Sequence, residues 1–327
     1  MLRTTTVTRQ ARIQKFAGAS TVGRAAKDAK ASVTGLGDIE TPILALVFCA
    51  IWSSAFVATK IGLQSSPPLY LASIRFLVAG PLMLAISFGL RQVFPSGFRA
   101  LALFTVLGVL NNSLYLGLTF ISLQSVSAAM VSFIATLNPL ITAVFAHAML
   151  NERMNLKKIL GLIIGAAGVV FVMHRRLSLG FDDLIGIALA LAGVVSLVLG
   201  TILFKRFAAG TGILMASGLQ VFAAGLALLP VAFSMETASG IRVDVGFLSA
   251  TAYLTLVVSV VGTLIWFRLL TRGTASAVSS YHFLTPVLGL FFAWMVLDER
   301  IVWSDVLGAV PISIGILAVT RSSRAAI

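Results

Sequence analysis

The stretch SAAMVSFIATLNPLITAVFAHAMLNER runs from Ser127 to Arg153, and TASAVSSYHFLTPVLGLFFAWMVLDER runs from Thr274 to Arg300. A shift of 147 residues lays one on the other without a gap. Pro139 then meets Pro286, Glu152 meets Glu299 and Arg153 meets Arg300. Beyond the blocks, Gly161 meets Gly308 and Gly168 meets Gly315. Unrelated apolar helices share Leu, Val and Ala because lipid selects them. They do not also share a proline, a Glu-Arg pair and two glycines in register. The chain is therefore read as two copies of one unit.

Composition sets the solvent of that unit. Of 327 residues, 58% are hydrophobic and 11% charged, where a soluble domain carries about 25% charged residues. Such a chain cannot keep a water-facing surface polar, so its surroundings are lipid. A bilayer core needs about 20 apolar residues per helix. Ten runs qualify: Thr41–Lys60, Leu69–Phe88, Leu101–Thr119, Ala128–Leu150, Ile159–Met173, Leu184–Phe204, Ile213–Phe233, Phe247–Leu270, Ala275–Leu297 and Val306–Thr320. The fifth and tenth are short and need flanking polar residues to lengthen them. The expected fold is an all-α membrane protein of ten transmembrane helices, arranged as two inverted five-helix repeats over residues 41–175 and 184–321.

Residues 1–40 stand apart. They are basic, rich in Ala, Ser and Thr, and lack the apolar core of a secretory signal. They fit a disordered cytoplasmic tail or an over-long start; a transit peptide is the other reading. The net charge of +13 sits in this tail and in short loops, with no basic stripe interleaved with aromatics, so a nucleic-acid partner is not expected. Most of the 24 Lys and Arg fall on the tail's side of the membrane, even with the tail left out. The positive-inside bias then puts both termini in the cytoplasm. Five spans per copy force the second copy upside down. Lys157 and Lys158, expected inside, have Ser304 and Asp305 as mates, expected outside. Inverted repeats are characteristic of alternating-access carriers, with the substrate near the bilayer midplane between the repeats.

The residues also carry a resemblance. IWSSAFVATKIGL at Ile51–Leu63, RFLVAGPLML at Arg75–Leu84 and the paired Pro, Glu-Arg and Gly blocks resemble the EamA branch of the drug/metabolite transporter superfamily. The likeness covers Thr41 to Thr320. It implies ten helices with both ends cytoplasmic, a place in the inner (plasma) membrane, and movement of small metabolites, often export of amino acids or related compounds. Uptake or exchange of another solute (a drug, a sugar or a nucleotide sugar) is the alternative, and a non-transporting membrane sensor is a second. An enzyme is not expected, because no catalytic constellation is visible.

Candidate substrate-binding residues follow from polarity inside spans. Gly108, Asn111, Asn112, Tyr115 and Thr119 share one face of the third span at helical spacing. Thr255, Ser259, Gly262, Thr263 and Trp266 share one face of the eighth. Lipid penalises such faces, so they point to a cavity or to another helix. Pro139 and Pro286 predict mid-helix kinks that free the carbonyls of Ala135 and His282, beside Asn138 and Thr285. His282, with Tyr281, could bind substrate, carry a proton or only pack. With no carboxylate placed inside a span, it is the candidate for proton coupling; the alternative is uncoupled transport down the substrate gradient. Trp52 offers an aromatic wall. Arg75, inside the second span, could meet a substrate carboxylate or perform a structural task. Glu152 and Glu299 close helices whose dipole disfavours them, so both are read as structural loop residues accepting N–H groups of the next helix or pairing with an adjacent Arg. Gly161, Gly165 and Gly168 give close helix packing or a homodimer seam. Cys49 is read as a buried hydrophobe. His147, His174 and His282 lie too far apart for a metal site, and no cofactor is expected.

Overall fold

The structure, a computed structural model, describes residues 40–95, 97–150, 154–207, 212–272 and 284–324. Two units divide the chain, Met1–Leu44 and Ala45–Ile327. Of the first, residues 40–44 are described, as the opening turn of helix α1. Everything below concerns the second.

Apolar runs become helices, and among the described residues there is no strand. The helices are α1 Glu40–Gly62, α2 Pro68–Gly89, α3 Phe98–Ser122, α4 in two pieces (Ala128–Ala135 and Asn138–Leu150), α5 Leu156–Ser178, α6 Leu184–Phe207 and α7 Ile213–Met235. α8 covers 245–272 as Val245–Ala252, Tyr253–Val261 and Gly262–Arg272; α9 is Thr285–Leu297 and α10 Trp303–Arg324. Eight of them, α1 to α8, are long and apolar enough to cross a membrane. α9 and α10 carry shorter apolar stretches, Thr285–Leu297 and Trp303–Val319. The expected start of the ninth span, at Ala275, lies outside the described residues.

Local signals fix several helix starts. Ser127 Oγ accepts from Met130 N at 3.1 Å, Asn155 Oδ1 from Lys158 N at 2.9 Å and Asp244 Oδ1 from Phe247 N at 2.8 Å. Each is a short polar side chain taking an orphan N–H of the first turn. The Asn155 cap makes α5 longer than the expected Ile159–Met173. Asp244 also accepts from Ser65, and these two hydrogen bonds, the Ser65 one first, hold its carboxyl below the usual range.

Two pairs of repeat mates, α2 with α7 and α5 with α10, pack against each other and run antiparallel. A Cβ on Gly80 would lie 2.6 Å from Phe222 Cα, one on Gly225 2.9 Å from Leu77 and one on Gly218 3.1 Å from Leu84. As α2 ascends, α7 descends. Likewise Gly161 approaches Ala318 and Gly315 while Gly168 approaches Gly308 and Ile312, so α5 and α10 are antiparallel. The glycine face read as packing or dimer seam is covered by α10 of the same chain. Without side chains on either helix, the two backbones meet closely, as small residues permit.

The first piece of α4 lies in the core: every residue from Ala128 to Ile134 is buried. Its N-terminus gathers charges from five directions. Glu299 accepts from Ala128 N at 2.8 Å and Ala129 N at 3.1 Å, and from Lys60 Nζ at 3.1 Å. Arg176 gives Nε and Nη2 to the two oxygens of Asp305, both at 2.9 Å, and Nη1 to Ser127 Oγ at 2.8 Å and Asp182 at 3.3 Å. The expected fifth span, ending at Met173, leaves Arg176 in a loop. Arg176 belongs instead to the last turn of α5 and is 1% exposed. The reason is that Asp182 and Asp305 together supply the counter-charge that burial of a guanidinium requires. Glu236, after α7, performs for α2 what Glu299 performs for α4: it accepts from Leu69 N and Tyr70 N at 2.9–3.0 Å.

Candidate substrate cavity

A cavity of about 470 Å³ lies between the two halves, within the roughly 300–1,000 Å³ of small-molecule sites. The first half contributes α1, α2, α3 and α4, the second α6, α7, α8 and α9. Among the described residues, none of α5 or α10 lines it.

Nine of the eleven residues singled out for binding line this space: Trp52, Asn111, Asn112, Tyr115, Asn138, Ser259, Thr263, Trp266 and Thr285. Arg75 and Pro139 do as well. Tyr281 and His282 lie outside the described residues, as does Glu152. The two polar stripes split, however. Thr119 is buried, with Oγ1 turned back to Tyr115 O at 2.7 Å, and Thr255 is buried away from the cavity. The cause is a π-helical segment in each stripe, Val109–Leu114 in α3 and Tyr253–Val261 in α8. Hydrogen bonds from i to i+5 widen the turn, so ordinary helical spacing does not hold through it. Under the 147-residue shift the α3 segment falls inside the α8 segment, so both copies carry the same irregularity.

Pro139 differs from expectation: its helix breaks ahead of it instead of kinking. The residues ahead of Leu284, where a kink at Pro286 would show, lie outside the described residues. Pro139 lies in the first turn of the second α4 piece, after a break at Thr136 and Leu137, and Pro286 lies in the first turn of α9. There a missing N–H costs nothing. Ala135, whose carbonyl loses its donor to Pro139, lines the cavity. Thr285 O, at the start of α9, accepts from Ser53 at 3.3 Å and Ser132 at 3.2 Å, joining α1, α4 and α9.

The polar lining is held by hydrogen bonds, some buried and some part-buried. Asn111 Nδ2 donates to Gln220 Oε1 at 2.9 Å, and Gln220 Nε2 to Ala216 O at 3.2 Å. Thr142 Oγ1 donates to Asn138 Oδ1 at 3.0 Å. Arg75 Nε donates to Ser259 Oγ at 3.1 Å, and Ser259 Oγ to Leu254 O at 2.9 Å across the π segment. The lining is also aromatic: the Phe48 ring centroid lies 5.9 Å from that of Trp52 and 5.1 Å from that of Trp266. Gln220, Ser217, Thr142 and Phe48 line the site without having been singled out. Gln220 had a signal: it is an amide inside ILMASGLQVFAAG, where lipid would penalise it.

The partners of Glu299 are the N–H groups of α4 and Lys60, not those of the helix that follows.

Residues 41–174 and 184–321 each match the EamA-like transporter family. The chain belongs to the EamA-like transporter family. It is a multi-pass helical membrane protein whose relatives are named as transporters or efflux pumps. It is 30% identical over 291 residues to the "Uncharacterized transporter YvbV" of Bacillus subtilis, covering 87% of this chain and 93% of that one. It is 28% identical over 283 residues to a "Probable amino-acid metabolite efflux pump" of Escherichia coli, covering 84% and 92%. A crystal structure of another protein superposes with a TM-score of 0.65 over 88% of this chain and 98% of that one, at 18% identity, a likeness of fold alone. The two family matches fall on either side of the α5–α6 junction, so each EamA-like unit supplies one wall of the cavity.

Proposed function

We propose that this EamA-like transporter is an inner-membrane secondary carrier that exports small polar metabolites, amino acids or their derivatives, by alternating access. The observation that carries the reading is the polar cavity built from both repeats. A substrate held between two halves is released when they rock against each other. The antiparallel packing of α2 on α7 and α5 on α10 supports the inverted arrangement. In this reading α9 and α10 also cross, giving ten spans with both termini in the cytoplasm. The name of the Escherichia coli relative supports the direction and the solute class.

Counterflow in proteoliposomes tests it. Vesicles loaded with unlabelled amino acids and derivatives are expected to accumulate labelled solute transiently, and Asn112→Trp, which fills the cavity, is expected to abolish the signal. Absence of counterflow across the panel, or an undiminished signal in the filled variant, contradicts the proposal.

A further inference from the structure

The described lining of the cavity carries one formal charge. Among its described lining residues, Arg75 is the only ionisable cation or anion at neutral pH. Arg75 is 5% exposed, and no carboxylate among the described residues pairs with it. Its Nε is taken by Ser259, and its guanidinium carbon lies 5.8 Å from the Phe76 ring centroid. Its two Nη groups have no hydrogen-bond partner among the described residues. The contrast with Arg176 is direct. That equally buried guanidinium has two carboxylates and fills its hydrogen bonds. A buried cation without a counter-ion is costly, and the cost falls when an anion arrives.

From this we infer that the ligand of the cavity is an organic monocarboxylate with a flat or bulky apolar body. The carboxylate takes the Nη fork of Arg75, whose planar pair of donors matches two carboxylate oxygens. The Ser259 bond to Nε fixes the guanidinium in place beforehand. The apolar body lies along Trp52, Phe48 and Trp266. Amino acids with large side chains meet these terms, as do aryl-substituted acids. Cations do not, because nothing among the described lining residues opposes their charge. A dianion carries one charge more than Arg75 neutralises.

The inference rests on the transport reading only in calling the ligand a substrate, so binding tests it separately. Purified full-length protein in detergent is titrated calorimetrically with matched probes: phenylpropanoate and phenylpropanamide, phenylalanine and phenylalaninamide, and phenyl phosphate. The carboxylate of each pair is expected to bind more tightly than its amide, by on the order of tenfold to a hundredfold, the worth of a hydrogen-bonded charge. Arg75→Gln is expected to erase that preference and Arg75→Lys to keep part of it, with both variants monodisperse. Amides binding as well as acids, phenyl phosphate binding most tightly, a preference that survives Arg75→Gln, or no binding by any probe overturns the inference. Carboxylate binding without counterflow contradicts the transport proposal and leaves this one standing. Counterflow of uncharged or cationic solutes, unaffected by Arg75→Gln, does the reverse.

Discussion

Asn111 sits where three helices converge. Its Nδ2 reaches Gln220 on α7, and its Oδ1 lies where a side chain on Gly200 of α6 would have to go. A leucine of similar size at 111 leaves Gln220 Oε1 buried without its donor, which costs about 1–3 kcal/mol. Gln220→Leu strands Asn111 in the same way. The two losses share one bond, so the double variant is expected to be less destabilised than the sum of the singles by about 0.5–3 kcal/mol. Thermal unfolding of all four forms in detergent measures this; strict additivity contradicts the coupling. Asn111 was legible because its polar neighbours Asn112 and Tyr115 follow at helical spacing. Gln220 is a single amide with no such company, so periodicity passes over it even though its cost in lipid marks it.

Helix α5 shows what a sequence conveys about an element and what it withholds. Gly161, Gly165 and Gly168 announce a close approach, and that much is readable. The partner is not, because α10 lies far along the chain and a small-residue face fits any helix of similar shape. Arg176 is harder still. Beside Arg175 near a span end it reads as a topology signal, and only the fold brings it to Asp305, 129 residues away. Arg176→Met leaves two buried carboxylates facing each other without a cation. A loss of about 3–5 kcal/mol is expected, the usual penalty for breaking a buried ion pair. Asp305→Asn is expected to cost less, since Asp182 still balances the guanidinium. Denaturant unfolding measures the order, and Asp305→Asn exceeding Arg176→Met contradicts the account of the cluster. The π segments of α3 and α8 were not legible at all. They leave the polar stripes looking like ordinary helical faces and disclose themselves only in the fate of Thr119 and Thr255.

On the scale of the molecule, the duplicated blocks carried most of the architecture. Shared Pro, Glu-Arg and Gly positions specify two related units, which the proposed five spans per copy would set in opposite senses. They do not specify that mates α2 and α7, or α5 and α10, pack directly against each other, which follows from the glycines that face across each pair. The cavity is a consequence of this pairing. α5 and α10 stand outside it, and the remaining helices that line it bring polar groups from both copies to one space. Everything proposed about solute movement requires that the copies cross the bilayer in opposite senses.

Leu156 and Trp303 are repeat mates that begin α5 and α10, and both are well exposed, at 70% and 81%. Cys49 is the chain's only cysteine, so with Cys49→Ala as background each of the two positions can carry a single cysteine. Labelling with a membrane-impermeant maleimide, in right-side-out and inside-out vesicles, reports their sides. Leu156→Cys is expected to react only from the cytoplasmic face and Trp303→Cys only from the opposite face. Reaction of both from the same face contradicts opposed repeats and, with them, a carrier that works by rocking one copy against the other.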